Sequence, residues 1–465
     1  MNRMKRTEPL WCEELRKDLR HMAEELTSAL CGWEKKQLAV TPEQFGYNGG
    51  MVTAYIQKAI DYVAEHGGGK VILSKGDYVT GTIVLKSDIC LEIRKGACLL
   101  GSTNLEDYPE HVAARRTVMD TNMGMNQSLI FAEGCKNISI CGGGSLDGQG
   151  TRENFPGLET TCATPGRPFL MRIIDCVGVH IKDITITNPA CWTQNYLNCE
   201  QVLLENLTVE SQSNYNNDGI DLDGCRDVIV RNCTVSSGDD AMCFKGASQR
   251  ESCRILVENC IFFSSCNAVK VGTDTQGDFR DILIRNCTVG GVSEEMHRIK
   301  HAYADSGISL EAVDGGVVER IWMEQIRLIR SMSPIFIRLD KRGRVKPEDP
   351  EPDISRIKTI LMENIIGDDN GTRGSYFMGI PERQIEDVVL KNVRLEQKAS
   401  VKPVIQPEDI PLMYGAYPDA HMIDHIGDVP AYALWIRDAV RVTLLDYQVI
   451  PGEGERRPEY ILMDF

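Results

Sequence analysis

Asp218 sits in the run Asn216-Asn217-Asp218-Gly219, and Asp239 and Asp240 form a pair after Gly238. Asp218 and Asp239 are 21 residues apart, about one coil of a parallel β-helix. Residues one coil apart stack ~4.8 Å from each other, so the spacing brings three carboxylates into one patch. Crowded carboxylates push each other's pKa values apart, and one stays protonated while another stays ionised. Hydrolysis of a glycosidic bond needs that pairing: an acid for the leaving oxygen, and a base for water or a nucleophile. The bland alternative is three turn-capping aspartates on a polar face.

The elements that must position these groups are legible as a repeat. Segments of the form apolar-x-apolar begin at Ile138, Val179, Val202, Val228, Ile255 and Ile282, in steps of 41, 23, 26, 27 and 27 residues. Weaker copies begin at Ile321, Ile360, Val388 and Val442. Polar turns follow, often with asparagine, as at Asn206, Asn232, Asn259, Asn286, Asn364 and Asn392. Asparagine tolerates left-handed backbone and bonds to its stacked copy, as a solenoid turn requires. The fold expected is all-β: a right-handed parallel β-helix of ten or more coils, with short N-terminal helices. Residues 1–45 are read as a helical extension and 46–465 as the β-helix domain. Within the extension, Leu10, Leu15, Leu19, Met22 and Leu26 recur at helical spacing, for packing or for assembly into a homo-oligomer. A second helix over 52–65 is expected to cover the open end of the solenoid. Insertions at 151–167, 291–306, 340–353 and 398–436 are expected to wall the binding face.

Composition narrows the partners. The 465 residues carry 51 basic and 67 acidic side chains, a net charge of −16, which argues against nucleic acid and anionic membranes. No run approaches the ~18 apolar residues of a membrane span. The N-terminal stretch lacks the apolar core of a signal peptide, so the chain is read as cytoplasmic, with its 17 cysteines mostly reduced. No CxxC pair occurs. His421 and His425 have helical zinc-ligand spacing but no third ligand. The reading calls for no metal and no cofactor.

With those residues in view, the chain resembles the polygalacturonase family of glycoside hydrolases, family 28, over about residues 45–465. The family's Asn-x-Asp and Gly/Gln-Asp-Asp motifs match Asn216-Asn217-Asp218 and Gly238-Asp239-Asp240. The resemblance implies an inverting mechanism with Asp239 as general acid, its pKa raised by its neighbours, and Asp218 and Asp240 holding and activating water. Two positions depart from the pattern. The family's Gly-His-Gly falls at Cys266-Asn267-Ala268, and its Arg-Ile-Lys falls at Ser309-Leu310-Glu311. That arginine and lysine bind a galacturonate carboxylate in the family; serine and glutamate do not. The literal Arg298-Ile299-Lys300 precedes the strand and is read as coincidental.

Further residues on the same face are candidates for holding substrate: Asn216, Lys245, Asn267, Lys270, Ser309, Glu311, Trp192 and Tyr196. The basic segment with His297, Arg298, Lys300 and His301 could reach over the cleft, though a solvated loop explains it as well. The function expected is exo-acting hydrolysis of a pectic or related oligosaccharide. A polysaccharide lyase or epimerase on the same β-helix is the alternative, and would use calcium or arginine to neutralise a uronate. A non-catalytic carbohydrate-binding β-helix is the third reading.

Overall fold

The computed structural model describes residues 7–30, 37–118, 126–158, 166–293, 301–425 and 427–463. The basic positions His297, Arg298 and Lys300 lie outside the described residues. The chain winds as a right-handed parallel β-helix. Ile138, Val179, Val202, Val228, Ile255, Ile282, Ile321, Ile360 and Val388 are register partners in successive parallel strands. All nine have no solvent exposure. The irregular steps between them are thus loop insertions around a constant coil, and the β-branched row is the inner wall of the core.

Asparagines turn the corners. Asn206, Asn232, Asn259, Asn286, Asn364 and Asn392 hold φ between 52° and 56°, a left-handed conformation that asparagine enters at low cost. The ladder is made in places: the Asn286 amide donates to Asn259 Oδ1 at 2.5 Å, and that of Asn392 to Asn364 Oδ1 at 2.7 Å.

The site lies on a 12-stranded sheet whose members include Gln194–Leu197, Ile220–Asp223, Met242–Lys245, Asn267–Val271 and Ala304–Ala312. Helix α2 (Thr53–Glu65) closes the N-terminal end. It buries Ile56, Ala59, Ile60 and Val63 in the solenoid core. Its Gln57 side chain pairs with both Val84 N, at 3.0 Å, and Val84 O, at 3.1 Å. That contact covers the sheet edge that would otherwise be open.

Helix α1 (Trp11–Leu30) has a different task. Leu15, Leu19, Met22, Leu26 and Leu30 pack on Leu203, Ile229, Leu256, Leu283, Trp322, Leu361 and Val389, one outward residue from each of seven coils. Seven strands span ~29 Å, and a 20-residue helix is ~30 Å long. The helix therefore lies along the solenoid axis as an external strap. It runs against the coil order, because Arg16 pairs with Glu363 while Glu25 pairs with Arg254. Leu10 is not part of the apolar stripe; it precedes the first turn and is 91% exposed. The expected boundary falls after residue 45. Ala39–Val40 already pairs with Lys70 and Val71 in the large sheet, so this stretch belongs to the solenoid.

Candidate active site

The turn carrying Asp218 is built by its neighbour. Asn217 Oδ1 accepts from the backbone amides of Ser213, at 2.9 Å, and Asn214, at 2.6 Å. Its Nδ2 donates to the carbonyls of Pro189 and Cys191, at 3.1 and 2.9 Å. Asn217 is fully buried and ties this turn to the preceding coil. Asn216, expected to hold substrate, is engaged elsewhere. Its Oδ1 accepts from Arg167 Nη2 at 2.7 Å, which anchors the 151–167 insertion instead.

The strand register decides which aspartate stacks on which. Ile220 pairs with Met242, a step of 22 residues, so Asp240 rather than Asp239 sits one coil above Asp218. Gly219 N donates to Asp240 O at 2.8 Å in the same step. Asp218 and Asp240 are buried, at 3% and 4% exposure. Asp239 lies one residue earlier on the turn and is partly exposed. It is the member of the triad open to solvent.

Below the turns, alternation sorts the strands into two faces. Ile220, Leu222, Met242, Phe244, Val269, Val271, Ile308 and Leu310 point into the core. The residues alternating with them face away from the core and form the floor of the candidate site: Asp221, Asp223, Cys243, Lys245, Lys270, Ser309 and Glu311. Two lysines organise these charges. Lys245 Nζ lies 3.1 Å from Asp218 and 3.3 Å from Asp221, and 4.5 Å from the centroid of the Trp192 ring. Lys270 Nζ lies 2.6 Å from Asp419, 3.3 Å from Asp240 and 3.9 Å from Glu311. Asn267 Nδ2 donates to Asp240 Oδ1 at 2.8 Å, and its own oxygen accepts from Ser306 Oγ at 2.6 Å.

These contacts set the carboxylates apart. Burial raises the Asp240 carboxyl, but Lys270, Lys245 and the Asn267 amide outweigh it and hold it below the usual carboxylate range. Asp218 goes the other way: burial and Asp221 push it well above its ordinary value, against Lys245. One ammonium, that of Lys245, serves both carboxylates there. Asp221 itself is pushed up to about 6, first by burial. Burial lifts Asp223 to about 7. It lifts Glu311 to about 8, with Lys270 opposing and Asp419 adding to the rise.

Several expected substrate contacts are corrected by burial. Tyr196 has no exposure and points into the core, because it pairs with Leu222 on the inner face. Its hydroxyl donates to Gln194 Oε1 at 2.9 Å. Ser309 and Glu311 are fully buried, and Ser309 Oγ donates to Glu311 Oε1 at 2.5 Å. Asn267 and Lys270, at 0% and 1% exposure, both contact Asp240. Lys245 and Trp192 lie nearer the opening, at 5% and 7%. His421 and His425 do not converge on a metal. His421 Nδ1 lies 3.3 Å from Asp305, and His425 Nδ1 lies 2.9 Å from Met422 O.

Asp419 joins these charges without any signal in the sequence spacing. It arrives on the 398–436 insertion, which packs Ile410, Ala420 and Ile423 against Phe336, Tyr376 and Trp435. Arg338 donates to Met413 O at 2.9 Å, Arg437 to Ile410 O at 2.7 Å, and the Tyr376 hydroxyl to Ala420 O at 2.6 Å. Asp221 and Asp223 were also passed over. Their signal was present in Ile220-Asp221-Leu222-Asp223, where an acidic face alternates with an apolar one. Among the described residues, one trio brings potential metal ligands within 4.8 Å of each other: Asp239, Asp240 and Cys266. Both oxygens of Asp240 face Lys270 and Asn267.

The family described as "Glycosyl hydrolases family 28" matches residues 71–409. A relative from Vitis vinifera named "Probable polygalacturonase" is 23% identical over 370 residues, covering 76% of this chain and 72% of its own. An "Exo-poly-alpha-D-galacturonosidase" from Dickeya chrysanthemi is 28% identical over 286 residues, covering 50% of this chain and 47% of its own length. Among solved structures, the exopolygalacturonase of Thermotoga maritima superposes with a TM-score of 0.68 at 20% identity, covering 82% of this chain and 91% of that one. At that identity the likeness is one of fold.

Proposed function

Because the chain belongs to family 28 of the glycosyl hydrolases, we propose that it hydrolyses a plant-polysaccharide oligosaccharide from one end, with inversion, through Asp239, Asp240 and Asp218. The observation that carries this reading is the division within the triad. Asp239 is partly exposed, which suits an acid that donates a proton to a leaving oxygen. Asp240 is buried beside it and held ionised by Lys270 and Asn267, which suits a base for water. Asp218, whose carboxyl burial and Asp221 push well above its ordinary value, holds that water by hydrogen bonds rather than taking its proton. Direct displacement by water then inverts the anomeric centre.

Exo action is supported by the packed 398–436 insertion, which stands over the strands beyond Glu311 and walls the cleft on that side. The substrate differs from plain polygalacturonate in this reading. Ser309 and Glu311 stand where a carboxylate-binding arginine and lysine are expected, and both are closed under the surface. A reducing, cytoplasmic setting is part of the proposal.

Asp239→Asn tests the assignment, since it keeps the shape and removes the proton. General acid catalysis contributes ~10²–10⁴-fold, so kcat on oligosaccharide should fall by that range, and less on an aryl glycoside whose leaving group needs no proton. Proton NMR of the first product should show the inverted anomer. A retained anomer, or an Asp239→Asn enzyme of undiminished kcat, overturns the proposal.

A further inference from the structure

Lys270 carries a carboxylate that the chain itself supplies. Asp419 Oδ1 is 2.6 Å from its ammonium, nearer than Asp240 or Glu311. Asp419 Oδ2 is 3.4 Å from Asn267 Nδ2. One carboxylate thus spans a lysine and an amide with both of its oxygens, the way a uronate carboxylate is gripped by a pair of donors. Asp419 comes from the wall rather than the floor. That wall is anchored by Arg338, Arg437 and Tyr376, so the aspartate is in place before any ligand arrives. It also lies just under the surface: Asp419 is 2% exposed, while Tyr417, two residues earlier, is 44% exposed. The Tyr417 ring centroid is 5.8 Å from Lys270 Nζ.

We infer that Asp419 is a specificity-determining residue that occupies the carboxylate seat on Lys270 and Asn267, so that the sugar bound above them is one without a carboxylate. The other floor lysine offers no second seat, because Lys245 is held between Asp218 and Asp221. An anionic sugar brought to the wall would face Asp419 and Asp240 with both lysines already matched. Like charges at such distances repel strongly where water is excluded. A neutral glycosyl residue meets no such barrier.

This inference rests on the cleft being the glycoside site, but its test reads binding and needs no turnover. D-galactose and D-galacturonate differ at C6 only by the carboxylate, and ligand-observed NMR titration gives a Kd for each. Wild type is expected to bind galacturonate no better than galactose. Asp419→Ser empties the seat and should tighten galacturonate by about tenfold or more while leaving galactose within about threefold, as a new charged contact predicts. Adding Lys270→Met to that variant should abolish the gain. Asp419→Ala, which also empties the seat and removes the charge, provides the same comparison if the serine variant fails to fold. A wild-type preference of tenfold for galacturonate overturns the inference, as does a folded Asp419 variant with no gain. Wild-type binding decides the matter even if neither variant folds. Loss of hydrolysis in Asp239→Asn speaks to the reaction instead, so the two readings fail separately.

Discussion

Replacing Lys270 by methionine removes one ammonium and keeps most of the side-chain volume. Lys270 is 1% exposed and faces Asp419 at 2.6 Å, Asp240 at 3.3 Å and Glu311 at 3.9 Å. Removing one partner of a buried ion pair costs ~3–5 kcal/mol, because the remaining charge is left uncompensated. Unfolding entropy of ~2.1 cal/mol/K per residue makes one degree of Tm worth about 1 kcal/mol in a chain this long. Tm should therefore fall by about 3–5 °C near neutral pH. The loss must depend on pH. Without the ammonium that holds its carboxyl down, Asp240 keeps its proton to a higher pH than in the unfolded chain, where an aspartate titrates near ~3.9. A folded pKa raised above the unfolded one gives stability that is present below the unfolded value and lost as pH rises through the folded one. The variant should match wild type most closely near pH 4 and fall furthest behind near pH 8. Differential scanning calorimetry across that range measures it, and Asp419→Asn in the same chain should return part of the deficit. A deficit that is absent, or equal at both ends, refutes Lys270 as the counter-ion of this cluster.

Other outcomes follow from the same contacts. Glu311 is raised to about 8 from 4.5, so wild-type stability should decline as pH rises from about 4.5 through about 8, and Glu311→Gln should flatten that decline in urea titrations. Asn217→Ala takes a hydrogen-bond partner from two backbone amides and two carbonyls, and a buried group left unpaired costs ~1–3 kcal/mol; a variant with unchanged Tm and kcat would remove Asn217 as the keystone of the Asp218 turn. Leu19→Ala empties part of the α1 seam, where large-to-small core changes cost ~2–5 kcal/mol. That loss should appear in Tm and leave kcat unchanged, because the strap touches no floor residue. The Cys90 thiol is lowered to about 7 by the neighbouring Cys141 Sγ, 3.6 Å away. Iodoacetamide at pH 7 should modify it before Cys98, as read by peptide mass spectrometry.

The repeating part of this protein was written in its sequence. The row from Ile138 to Val388 is the inner wall of the core, and the asparagines at Asn206, Asn232, Asn259 and Asn286 are its corners. Period and residue type suffice for these because each coil repeats the environment of the one before. The three aspartates were placed in one patch for the same reason. Tertiary structure decided everything that depends on register or on what lies overhead. A one-residue difference in step, 22 rather than 21, buried Asp240 on Asp218 and left Asp239 partly exposed. Side-chain parity along Gln194–Leu197 sent Tyr196 into the core. Asp419 joins Lys270 across 149 residues of chain, and no period announces it. It comes from an insertion whose path is set by packing on Phe336, Tyr376 and Trp435. Burial of Ser309 and Glu311 likewise follows from the wall above them, which only the folded chain brings there.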